Sequence, residues 1–173
     1  RSEYLCPRGG RVPDRAFYRQ ALGRLAEAAT PLPVTVRLLD LAPDKAPPWL
    51  GHPDGFAGTL GRHGSRLFDG EPARSAFLAE AGAVAELAQR LPLGVLVPYL
   101  TEVAEFRRWR EVLAGVLPET VPVGAMLETP AAVQEAAAFQ ECADSVGIGC
   151  NDLMQAFFAA DRDTPEVAAL LNP

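Results

Sequence analysis

Three short apolar runs in this chain end in ionisable groups. Val34–Asp40 (VTVRLLD) closes with Arg37 and Asp40, Val121–Glu128 (VPVGAMLE) with Glu128, and Ser145–Asp152 (SVGIGCND) with Asn151 and Asp152. Arg162 follows ten residues beyond Asp152, after an amphipathic stretch. Two carboxylates with room for water are hard oxygen ligands that suit Mg²⁺, which keeps positions open for phosphate or carboxylate oxygens. Arginines add forked donors that grip phosphate through paired hydrogen bonds. If the run ends meet, the set takes an anionic, phosphorylated substrate chelated to magnesium.

Taken singly, each residue has a plainer reading. Asp152 or Asn151 caps a helix beginning at Leu153, which is the commoner role for such a residue. Glu128 stands at a strand end in water, and Arg37 pairs with Asp40 on the surface. Cys150 is a reactive thiol at a helix N-terminus or, the more usual case, a small buried cysteine. Spacing alone leaves these alternatives open.

The elements that must position the residues follow one rhythm. The three runs and Leu93–Tyr99 (LGVLVPY) are short, apolar and not alternating, as strands buried on both faces are. Helical patterns lie between them. Phe17–Ala29 is amphipathic with arginines outward, and Arg74–Leu91 is rich in alanine and leucine. Thr101–Leu117 opens with an N-cap candidate, and Thr129-Pro130 is a cap followed by proline at the first helical position. Strands alternating with helices mean βα units and a parallel α/β sheet, whose ligands bind beyond the carboxyl ends of the strands. Leu41–Ser65, rich in proline and glycine, is a long loop of the kind that carries function.

Composition excludes several classes. With 173 residues, 49% hydrophobic and 22% charged, the chain reads as one domain or part of one. No apolar run approaches the length needed to cross a bilayer. A net charge of −6 is the wrong sign for a nucleic-acid surface. Two histidines and three cysteines (Cys6, Cys142, Cys150) make no close metal-ligand spacing, and the odd count reads as reduced thiols in the cytoplasm.

Four segments together carry a more specific signal. RSEYL (Arg1–Leu5), VTVRLLDLAPDKAPPWL (Val34–Leu50), VGAMLETPAAV (Val123–Val133) and GIGCNDLMQAFFAADR (Gly147–Arg162) stand in order across nearly the whole chain. They resemble the phosphoenolpyruvate-binding barrel of the PEP-utilising enzymes: enzyme I of the sugar phosphotransferase system, PEP synthase and pyruvate phosphate dikinase. Asp44-Lys45 and the ETPAA form resemble enzyme I more than the dikinases.

The resemblance implies a (β/α)8 TIM barrel. Residues 1–173 supply roughly its middle strands, about four of eight. It implies a transferase of the kinase type that moves the phosphoryl group of PEP to a protein histidine, leaves pyruvate and depends on Mg²⁺, in the service of sugar transport. Arg1, Arg37 and Arg162 then hold substrate, Asn151 bonds the phosphate, and Glu128 and Asp152 ligate the metal. Arg37 and Arg162 are the residues expected to stabilise the transferring group. The implied partners are PEP, a phosphocarrier protein reached through a phosphohistidine domain outside these residues, and a second copy in a homodimer. No nucleic acid or membrane is expected.

Departures from the family pattern support an alternative. In LGRHGSR (Leu60–Arg66) the family carries two arginines. His63 stands at the first, while Arg66 matches the second and is assigned to substrate. None of the three cysteines lies in the motif of the family's general acid, and neither His52 nor His63 lies in a phosphohistidine context. A non-catalytic PEP- and Mg²⁺-binding module is therefore the alternative, with a fragment of a dikinase as another.

Overall fold

The computed structural model describes residues 2–5, 7, 10–41, 46–51, 60–62 and 64–171. Arg1, Cys6, Asp44, Lys45, His52 and His63, singled out above, lie outside the described residues. Seven α-helices and four strands alternate among those described: α1 (Arg15–Ala29), β1 (Val34–Arg37), α2 (Ala73–Leu87), β2 (Leu93–Val97), α3 (Val103–Ala114), β3 (Val123–Leu127), α4 (Pro130–Gln134), α5 (Ala136–Cys142), β4 (Val146–Ile148), α6 (Cys150–Phe158) and α7 (Pro165–Ala168).

The strands form one parallel sheet in the order β1-β2-β3-β4, so all four carboxyl ends lie along the same edge. The α/β expectation holds, and the sheet curls as half a barrel does. One face packs on helices through Val36, Val95, Val97, Ala125 and Leu127, all buried. On the other face Leu96 fills space that glycines leave open. A Cβ at Gly124 would lie 2.6 Å from its Cδ2.

The α-helices bury the outer face. Asp14 caps α1 by accepting from Phe17 N–H at 2.8 Å. Tyr18, Leu22 and Ala26, four residues apart, then form a stripe that faces α2. Phe68, Phe77 and Trp109 pack as an aromatic cluster between α2 and α3, with Phe68 stacked on Phe77 at 4.2 Å.

The strands are shorter than the apolar runs, each for a local reason. Leu38 N–H still bonds Leu96 O, and the Leu39 N–H, which points away from β2, donates to the Glu80 carboxylate on α2 at 2.9 Å. β2 ends at Pro98, which has no N–H to give, and Tyr99 then turns to φ 51°. In the last run only Val146–Ile148 is strand. Gly149 closes the ladder to Leu127 O and accepts the first helical bond from Leu153 N–H. The helix therefore starts at Cys150, so Asn151 and Asp152 lie inside its first turn and neither caps a helix from Leu153.

Two other plain readings change. Thr101 caps nothing: its N–H and Oγ1 both donate to Glu105, and the free N–H of Val103 is taken by Glu135 at 2.8 Å. Cys150 is exposed, not buried. Thr129 caps as expected, accepting from Ala132 N–H at 3.2 Å, and it also donates to Leu100 O at 2.8 Å.

Candidate functional site

Arg37, the last residue of β1, is 5% exposed and bridges two carboxylates. Its Nη1 donates to Glu128 Oε1 and its Nη2 reaches Asp40 Oδ2, each at 2.9 Å. The Arg37–Asp40 pair thus exists but is buried, and Glu128, 1% exposed, does not stand in water. Glu128 Oε2 accepts from Tyr99 N–H at 2.9 Å, a bond that the turned backbone of Tyr99 presents. Gly149 makes room for this carboxylate, since a Cβ there would lie 2.2 Å from Glu128 Cγ. Gly64, at φ 58°, does the same for Tyr99: its Cβ would lie 2.3 Å from that of the tyrosine.

Asp152 enters from the first turn of α6. Arg162 comes from beyond the helix end, after Ala159 turns left-handed, and its Nη1 lies 3.6 Å from Asp152 Oδ1. Gln155 ties the two together. Its Nε2 donates to Asp152 at 3.4 Å and its Oε1 accepts from Arg162 N–H at 2.9 Å. Arg66, in a 3-10 turn at Gly64–Leu67, lies over the Tyr99 ring at 5.2 Å. Asn151 is exposed beside Asp152, and among the described residues no hydrogen bond joins its side chain to the cluster.

The fold therefore brings together Arg37, Glu128, Asp152, Arg162 and Arg66, five of the seven residues expected in the site, with Asn151 at its rim. Asp40, Tyr99 and Gln155 join them without having been assigned a role, and Glu80 supports the chain behind Arg37 through the Leu39 N–H. Asp40 is visible as the charged end of a run, three residues from Arg37. Tyr99 also ends a run, but it serves through its backbone and ring face, which sequence does not announce. Gln155 and Glu80 act from helix positions that no spacing rule singles out.

Carboxylate oxygens of Asp40, Glu128 and Asp152 lie within 4.8 Å of one another. Crowding of this kind favours a proton or a cation. Burial, then Asp40, push the Glu128 carboxyl up to about 7, with Asp152 adding to the rise; Arg37 and the Tyr99 N–H offset part of it. Burial also pushes the Tyr99 phenol up against the pull of Arg66, with the three carboxylates adding to the rise. Three hard oxygen donors beside one guanidinium fit a divalent cation such as Mg²⁺. A cavity of about 330 Å³ lined by Tyr99, Asp152, Gln155 and Asp161 opens alongside. A larger groove of about 980 Å³ lies away from this edge, between α1 and α2, where arginines and glutamates pair on the surface and no buried cluster forms.

Comparison with known proteins gives the family. Residues 1–173 match the family described as "PEP-utilising enzyme, PEP-binding domain". The chain is 33% identical over 174 residues to a multiphosphoryl transfer protein of Xanthomonas campestris pv. campestris, covering 98% of this chain and 20% of that one. It is 34% identical over 182 residues to a phosphoenolpyruvate-protein phosphotransferase of Haloferax volcanii, covering 98% and 32%. A protein of the same name from Streptococcus equinus is 28% identical over 183 residues, covering 100% and 32%. The chain thus spans a third or less of the length of these relatives. With the match running from its first residue to its last, the chain belongs to the PEP-utilising enzymes, through their PEP-binding domain.

Proposed function

We propose that residues 1–173 are part of a TIM-barrel domain that binds PEP with Mg²⁺, in an enzyme passing the phosphoryl group to a protein histidine and leaving pyruvate. The observation that carries this reading is the convergence of Arg37, Asp40, Glu128 and Asp152 on the carboxyl edge of a parallel sheet, where such folds bind ligands. The names of the relatives supply the reaction. A histidine-bearing phosphocarrier as acceptor, a homodimer and a place in the cytoplasm belong to the same proposal.

Glu128 and Asp152 would hold the metal, with Asp40 as a third oxygen ligand beside them. Bound there, Mg²⁺ supplies positive charge to the phosphate and to the enolate oxygen of pyruvate. The chain's own residues do the positioning. Arg162, held by Gln155 against Asp152, and Arg66, held on Tyr99, present guanidinium donors to the phosphate from two sides. Arg37 stays paired with Glu128 and Asp40, offsetting part of the rise in the Glu128 carboxyl and adding its field to that of the other two arginines. The Asn151 amide, exposed at the start of α6, is free to bond a phosphate oxygen.

Titration calorimetry tests the reading. PEP binds in the presence of Mn²⁺ and not in its absence, and the Glu128→Gln/Asp152→Asn double variant loses Mn²⁺ affinity. Equal Mn²⁺ affinity in the two proteins overturns it.

A further inference from the structure

Tyr99 sits where the metal ligands and the phosphate-facing arginines meet, and it touches one member of each group through a different part of itself. Its backbone N–H holds Glu128 Oε2 at 2.9 Å, while its ring face lies under the Arg66 guanidinium at 5.2 Å. We infer that Tyr99 is a positioning residue with two separable roles: the main chain sets the Glu128 carboxylate for the cation, and the ring sets Arg66 for the phosphate. The inference rests on the proposed reading of the site and assigns within it a residue that touches neither ligand.

Three observations support the division. Tyr99 adopts φ 51°, a left-handed conformation unusual for an aromatic residue, which persists only where surrounding contacts over-determine it. Those contacts are present. The Ser65 hydroxyl shares its proton between Glu105 Oε1 at 2.8 Å and Tyr99 O at 3.3 Å, and Gly64 leaves the space its Cβ fills. The same segment, Gly64–Leu67, carries Arg66, so the loop that clamps the tyrosine backbone also delivers the arginine to its ring. A guanidinium resting on an aromatic face keeps its forked donors in one plane without using them, and they stay available to an anion.

The roles separate by substitution, because every residue but proline keeps the N–H and only an aromatic residue keeps the ring. In the complete chain, Tyr99→Leu lowers the affinity for PEP measured with saturating Mn²⁺ by about five- to tenfold, the size of a lost cation–π contact. Its Mn²⁺ affinity without PEP stays within twofold of the parent, which also shows that the variant is folded. Tyr99→Phe restores the PEP affinity. If Tyr99→Leu lacks a cooperative melt, Arg66→Met tests the other half of the stack and lowers PEP affinity as much, again sparing Mn²⁺. Unchanged PEP affinity in Tyr99→Leu, or in Arg66→Met where the first variant fails to fold, overturns the inference and leaves the site reading standing. Loss of Mn²⁺ affinity in folded Tyr99→Leu overturns the separation of roles. A parent chain that binds no PEP removes the site reading and this inference together.

Discussion

With its carboxyl pushed from an ordinary 4.5 up to about 7, Glu128 keeps a proton in the folded chain over a pH range where the unfolded chain has lost it. Between these values the native state binds more protons, so stability falls as pH rises from 4.5 to 7 and levels off above. The shift corresponds to about 3 kcal/mol. Asp144 does not mask this. Burial raises its pKa, but the Val123 N–H and Arg110 outweigh that and lower it, so its contribution is already complete above the ordinary range. Urea unfolding of the metal-free chain at pH 5 and pH 8 should show the loss. Saturating Mg²⁺ at pH 8 should restore most of it, and Glu128→Gln should flatten the slope. A metal-free chain as stable at pH 8 as at pH 5 would show that the folded carboxyl titrates normally.

At the scale of the element, the site depends on where strands stop and helices begin. Just past β1, Glu80 on α2 accepts the Leu39 N–H and so ties down the backbone between Arg37 and Asp40. Glu80→Leu leaves that buried N–H without this acceptor, at a cost of about 1–3 kcal/mol. It should also weaken Mn²⁺ binding through Asp40, while Glu80→Gln, which keeps an acceptor oxygen, should recover most of both. Thermal melts and Mn²⁺ titration of the two variants check this, and equal damage from both would mean that charge, not the bond, matters. The end of α6 offers the opposite sign. Ala159 pays for a left-handed φ of 49° that glycine adopts freely. Ala159→Gly should raise stability by about 0.5–1 kcal/mol, because relief of that strain exceeds the added entropy of the unfolded chain. A fall in melting temperature would contradict it.

Across the whole molecule, the described residues leave β1 and β4 with one unpaired side each, and Ile148 in β4 is 64% exposed. Phe157 and Phe158, at the end of α6, are exposed as well. Open parallel edges and exposed apolar side chains drive association. The 173-residue chain on its own should therefore elute as an oligomer whose size grows with concentration, and Ile148→Lys with Phe157→Lys should shift it toward the monomer. Light scattering on the parent and the double variant decides this, and a monomeric parent would mean that the edge is self-sufficient.

The sequence by itself determined the period. Short apolar runs between amphipathic segments require buried parallel strands and covering helices, and a parallel sheet puts every run end on one edge. Arg37, Glu128, Asp152 and Arg162 were legible for that reason: each is a polar residue at or beyond the end of an apolar run, where a ligand can reach it. Tertiary structure decided how those residues meet. The Arg37–Asp40 pair is compatible with the surface or the core, and only the packing of β3 and β2 beside β1 buries it against Glu128. Tyr99, Gln155 and Glu80 act through a backbone N–H, a ring face, a side-chain amide and a buried carboxylate. Their partners lie 29, 33, 7 and 41 residues away in sequence, or nearer only by helical geometry. Such contacts leave no periodic trace, because the energy that selects them is realised only when distant segments share one low-dielectric edge.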